Sequence, residues 1–78
     1  MNAFSLSTIK IGRKVKIENI DGDKNTQLKL LSLGILPGDI IEVTGRGLCG
    51  GPISMKHDNG TFFALRRGHA AQIKVIHL

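Results

Sequence analysis

A leucine-dense segment that ends on two chain breakers limits the folds open to this chain more than any other feature. Leu28 to Leu36 holds five leucines and an isoleucine in nine residues, and Pro37-Gly38-Asp39 follows at once. The spacing predicts a helix to about Leu33, with Leu28, Leu31 and Ile35 on one face and Leu30 and Leu33 on a neighbouring one. Asp23 or Asn25 suits its N-cap, where an acidic side chain also meets the positive end of the helix dipole. Gly34 suits a left-handed cap at the other end, and Pro37 forbids a further turn. Pro37-Gly38-Asp39 then reads as a tight turn into Ile40-Ile41-Glu42-Val43, a β-rich run. The apolar stripe is wider than a helix packed on one side needs, so greasy surface is expected to remain for another molecule.

The rest of the chain alternates short strands with turns. Val15 and Ile17 alternate with Lys14, Lys16 and Glu18, the period-two pattern of a half-buried strand from Lys14 to Ile20. Further strands are expected at Ile40 to Thr44, Ile53 to His57, Thr61 to Leu65 and Gln72 to His77. Asp58-Asn59-Gly60 is a strong hairpin signal, since Asn and Gly tolerate positive φ. Ser7 suits the cap of a single turn near the start, and Arg66 to Ala71 is long enough for one turn only. Five strands and one short helix inserted after the first predict a mainly β fold, a small five-stranded barrel, closed or nearly so to remove sheet edges. A chain of 78 residues buries only about 60% of its unfolded surface, so one domain spanning residues 1–78 is expected.

Composition narrows the function classes. Hydrophobic residues make up 41% and charged ones 22%, a globular balance, and no apolar run approaches the ~18 residues that span a bilayer. Met1 to Leu6 lacks the basic start and continuous apolar block of a secretory leader, and the single Cys49 allows no internal disulfide, so a reducing cytoplasm is the expected setting. Eleven Lys and Arg against six Asp and Glu give a net charge of +5, which suits nucleic acid, an anionic membrane surface or an acidic protein. The aromatics are only Phe4, Phe62 and Phe63, a poor supply for base stacking, and this disfavours nucleic acid.

Catalytic and cofactor motifs fare badly. Gly45-Arg46-Gly47-Leu48-Cys49-Gly50 satisfies G-x-G-x-x-G after a strand, but Gly51-Pro52 leads into another strand where a dinucleotide site needs a helix N-terminus. The segment reads instead as a flexible hairpin loop or partner-contact loop. Cys49, His57, His69 and His77 lack the close spacings of a zinc site, and Cys49 has no evident base and orienting group for nucleophilic chemistry. Asp21 and Asp23 flank Gly22 as turn and capping residues. No enzyme activity, cofactor or metal is expected. Arg66-Arg67 is the densest basic spot, a solvated face or a docking point for an acidic partner.

Leu30-Leu31-Ser32-Leu33-Gly34-Ile35-Leu36-Pro37-Gly38-Asp39 resembles the leucine-rich helix and L-G-x-x-P-G turn of the FeoA family, small cytosolic proteins of bacterial ferrous iron uptake. Ser7-Thr8-Ile9-Lys10-Ile11-Gly12 is similar to the family's opening, Gly50-Gly51-Pro52-Ile53 to its glycine-proline entry into a strand, and Ala64-Leu65-Arg66-Arg67 with Ala71-Gln72-Ile73 to its closing segment. Gly68-His69 departs from it, because many relatives carry acidic residues there. The resemblance implies an SH3-like barrel and a partner, the membrane ferrous iron transporter FeoB with its cytosolic G-protein domain. The expected contact surface is Leu30, Leu33 and Ile35 with the Gly45 to Gly51 loop, above all Gly47, Leu48 and Cys49, assisted by Arg66 and Arg67. The alternative is a small basic barrel that binds nucleic acid, or a regulatory module like the C-terminal domain of metal-dependent repressors, although no DNA-binding helix pair accompanies it here.

Overall fold

A computed structural model describes residues 3–78, and Met1 and Asn2 of the stretch that lacks a leader's pattern lie outside the described residues. Six antiparallel strands form one sheet: β1 (Phe4–Ser5), β2 (Lys14–Ile20), β3 (Ile40–Arg46), β4 (Ile53–His57), β5 (Phe62–Leu65) and β6 (Ile73–His77). Their order across the sheet is β1-β6-β2-β3-β4-β5. The five expected strands are present with small shifts of boundary, and the expected count is corrected by β1. Its two residues pair Phe4 with Val75 and Ser5 with Lys74, too short a stretch to carry an alternating pattern.

The closed barrel is corrected as well. Among the described residues no ladder joins β5 to β1, so the sheet stays open. The two outermost strands instead run into short helical pieces that pack on one another: a 3-10 turn at Leu6–Thr8, after β1, and the four-residue α2 (Arg67–Ala70), after β5. Arg46, at the end of β3, ties this region further. Its Nη2 donates to the carbonyls of Ser7 and Ile9, at 2.7 and 2.5 Å. The cap of the 3-10 turn is Ser5, whose Oγ accepts from the Ser7 N–H, and not Ser7 itself.

Alternation along the strands fills one core. Val15 and Ile17, Ile41 and Val43, Ile53 and Met55, and Ile73 and Val75 all point inward with Leu65, while Lys14, Lys16, Ser54 and Lys56 stay in water. Leu6, Ile9 and Ala70 close the cluster from the short helical pieces. At the β4–β5 hairpin, His57 and Thr61 flank a three-residue loop, the His57 N–H reaching the Thr61 carbonyl at 2.8 Å. Only Gly60 there has positive φ (+95°), so Asn59 does not need the left-handed conformation its sequence signal allowed.

The helix α1 (Lys24–Ser32) is fixed at both ends by its own sequence. The Asp23 carboxylate accepts from the Thr26 N–H at 2.8 Å. Hydrogen bonding from Thr26, from its backbone N–H first and its side chain second, holds the Asp23 carboxyl below its ordinary 3.8, with a smaller contribution from the charge of His69. At the C-terminus, the Gly34 N–H bonds the Leu31 carbonyl and the Ile35 N–H bonds the Leu30 carbonyl, with Gly34 at φ +78°. This is a Schellman cap, whose geometry brings the residue after the glycine back against the last turn. Leu36-Pro37-Gly38-Asp39 follows as a turn with Gly38 at φ +95°, closed by the Asp39 N–H to the Leu36 carbonyl at 3.1 Å.

Candidate docking surface

The leucine-rich segment divides by side. Leu30 and Ile35 are both fully buried in the core, so the expectation that they face a partner is corrected. The Schellman cap gives the reason. Leu30 and Ile35 are the two residues that such a cap places together, and here the pair plugs into the sheet. The remaining leucines stay outside: Leu28 is 53% exposed, Leu31 55%, Leu33 43% and Leu36 46%. Of the three predicted contact residues on this segment, only Leu33 keeps an accessible side chain. Leu28, Leu31 and Leu36 join it in solvent, although helical spacing alone assigns none of them to the contact surface. The L-G-I sequence was the signal that could have sorted them, because it marks which leucine the cap turns inward.

The exit from this surface is braced. Asp39 Oδ2 accepts from the Leu36 N–H at 2.9 Å and meets His57 Nε2 at 2.9 Å. His57 Nδ1 in turn accepts from the Asn59 N–H at 3.1 Å, which leaves Nε2 to carry the proton that Asp39 receives. The Ile17 carbonyl takes the Gly38 N–H at 2.8 Å, and the Ile17 N–H donates to Asp39 at the same distance. Leu36 therefore sits on a turn bonded to both β2 and the β4–β5 hairpin.

The second predicted group lies on the β3–β4 connection. Gly45 and Arg46 belong to β3, so the loop proper is Gly47 to Pro52, with a 3-10 turn at Leu48–Gly50. It is more compact than a flexible hairpin loop. The Gly47 N–H bonds the Pro52 carbonyl at 2.8 Å, and a Cβ at Gly47 would sit 3.0 Å from the Gly51 backbone. Cys49, exposed and free, adopts the left-handed conformation at φ 54°. Leu48 beside it stands in solvent at 92% exposure. Arg66 and Arg67 are exposed, and the Arg67 side chain runs beside this loop, with Nε 3.8 Å from where a Cβ at Gly50 would lie. The structure thus joins Arg67 to the loop, a proximity that no sequence spacing announces.

Among the described residues, no three His, Cys, Asp or Glu side chains gather closely enough to hold a metal ion. A small cavity of about 80 Å³ beside the Asp39–His57 pair mixes Lys14 and Lys56 with Glu42 and Asp58. Glu42 stands in register between the two lysines, paired across one ladder with Lys14 and across the next with Lys56. No helix of the described residues is long and apolar enough to cross a membrane.

A family model described as the FeoA domain matches residues 4–77. The NMR structure of a FeoA-like protein from Clostridium acetobutylicum is 28% identical, with a TM-score of 0.89 over 100% of this chain and 90% of that one. The crystal structure of an iron uptake regulatory protein (FeoA) is 33% identical, with a TM-score of 0.86 over the whole of both chains. A manganese-dependent transcriptional repressor in complex with manganese superposes at a TM-score of 0.94 and 25% identity, over 100% of this chain but only 38% of that one. No curated protein matches the sequence.

Proposed function

Since this chain belongs to the FeoA family, a family of accessory proteins in ferrous iron transport, we propose that it works by docking on the cytosolic G-protein part of the FeoB transporter and modulating it without catalysis of its own. The observation that carries this reading is the set of four half-exposed leucines, Leu28, Leu31, Leu33 and Leu36, on a protein whose core is already filled from other positions. Covering such side chains with a partner is worth roughly 1 kcal/mol each before the costs of association. Leu48 on its braced loop and the neighbouring Arg67 supply a second apolar point with a charged companion. Basic residues at the rim would speed approach to an acidic partner more than they tighten the final complex. The SH3-like architecture, a cytoplasmic setting and a single domain over the whole chain complete the proposal.

Isothermal titration against the isolated G-protein domain, with and without nucleotide, is the test. Wild type should bind, and Leu31→Glu with Leu33→Glu should not, while both stay folded. Equal binding by the two would remove the leucine surface, and no binding by either would remove the transporter's G-protein part as the partner.

A second reading has one specific support, the close superposition on part of a manganese-dependent repressor. There the chain would be a regulatory module for a DNA-binding partner, or a small basic domain that binds nucleic acid itself. A gel shift with DNA across a salt series separates the two readings, since binding through phosphates weakens steeply as salt rises.

A further inference from the structure

A recess at the strand ends shares no residue with the exposed leucines or the Gly47 to Pro52 loop. It is a groove of about 350 Å³ lined by Phe4, Thr8, Ile9, Lys10, Arg13 and His77. Three of these six side chains are basic types and none is acidic. The guanidinium of Arg13 has one side-chain contact among the described residues, a long one of 3.4 Å from Nη2 to His77 Nδ1, and no carboxylate meets it. Phe4, 40% exposed, forms an apolar wall whose ring lies 5.0 Å from the His77 ring at a tilt of 58°. The groove therefore joins uncompensated positive charge to an aromatic surface. It runs across the strand ends, from Phe4 on β1 past His77 on β6 to Arg13, the residue before β2.

We propose that this groove is a binding site for an acidic peptide segment of a partner protein, with its carboxylates at Lys10 and Arg13 and an apolar side chain against Phe4. The charge asks for an anion, and Arg in particular suits a carboxylate through its paired N–H donors. The exposed Phe4 wall asks for apolar side chains interspersed with the acids. A nucleic acid meets neither demand so well. The groove offers one aromatic ring where single-strand binders stack successive bases, and its two full cations would neutralise few phosphates. The proposal does not depend on the leucine surface, and its test uses free peptides, so either idea can fail alone.

The full chain, labelled with ¹⁵N, would be titrated with a short peptide alternating glutamate and valine, with the same peptide carrying glutamine for glutamate, with ATP, and with a short single-stranded DNA. The acidic peptide should shift the amides of residues 4–13 and 75–77, and the glutamine peptide should leave them in place. Lys10→Ser with Arg13→Ser should weaken the acidic peptide about tenfold, both residues being exposed and outside the core. Equal binding of the two peptides, unchanged affinity in the double variant, or shifts centred on Arg66 and Arg67 would each overturn the assignment. So would tighter binding of ATP or DNA than of the acidic peptide, which would make the groove a phosphate site.

Discussion

The inner and outer sides of the leucine-rich segment carry the same kind of residue and do opposite work. Leu30 and Ile35 are wholly removed from water, whereas Leu28, Leu31, Leu33 and Leu36 keep between 43% and 55% of their surface accessible. Hydrophobicity is shared, so it cannot be what separates them. What differs is their place relative to the Schellman cap, which folds the residue after Gly34 back toward Leu30 and turns that pair to the sheet. An apolar side chain therefore has a role only once its neighbours' backbone has been specified.

Substitutions on the two sides should accordingly fail in different assays. The largest effect is expected at Leu30→Ala, where lost burial and the cavity left behind cost about 2–5 kcal/mol, a large share of a total stability of roughly 5–15 kcal/mol. Chemical denaturation measures it, and a loss below about 1 kcal/mol would erase the distinction between the sides. Leu31→Glu with Leu33→Glu should change stability by no more than about 0.5 kcal/mol per site. The same pair should reduce partner affinity at least tenfold, about 1.4 kcal/mol, in titration calorimetry. A melting temperature well below that of wild type would show that these leucines also serve the fold.

Asp23→Ala sharpens the comparison from the helix's other end, because the cap holds α1 in place without touching either leucine side. The Asp23 carboxyl has a lowered value in the fold, so its contribution is present above the unfolded value near 3.8 and is lost as pH falls through the lower folded one. Wild type should thus lose this contribution in acid below about pH 4, and the variant should lack it at every pH. Thermal melts at neutral pH should fall by a few degrees, and the gap between the two proteins should narrow in acid. A constant gap down to pH 2 would assign the loss to something other than the carboxylate. The smallest effect is expected at Arg67→Ala, an exposed cation beside the Leu48 loop. It should slow association and flatten its salt dependence while leaving dissociation nearly unchanged, as stopped-flow mixing would show.

Much of this architecture was legible in the chain. The β2, β3, β4, β5 and β6 runs announce themselves by alternation, and the α1 stop by Gly34 and Pro37, because these signals act over a few residues. The strand Phe4–Ser5 was not legible, since two residues carry no period and only pairing with Val75 and Lys74 makes them a strand. The open edge between β1 and β5 escaped for a related reason. Short strands with tight turns imply closure, and what takes its place is a packing of two helical pieces separated by some sixty residues, the 3-10 turn Leu6–Thr8 and α2. The docking residues were half legible. Leu33, Leu48, Arg66 and Arg67 are exposed as expected, while Leu30 and Ile35 are not: the helix ends before Gly34, so its period does not place Ile35, and the cap brings Ile35 back against Leu30 in the core.

By itself, then, the sequence determined the elements: where strands alternate, that α1 starts at a cap offered by Asp23 or Asn25 and stops by Gly34, and that leucine is concentrated in one segment. Tertiary structure alone decided which leucines are used. It also set Arg67 beside the Gly47 to Pro52 loop, tied Arg46 to the carbonyls of Ser7 and Ile9, and joined Arg13 to His77 at the rim of a groove. The physical reason is range. Caps and turns depend on backbone geometry within a few residues, whereas burial and charge proximity depend on where distant strands bring the chain together.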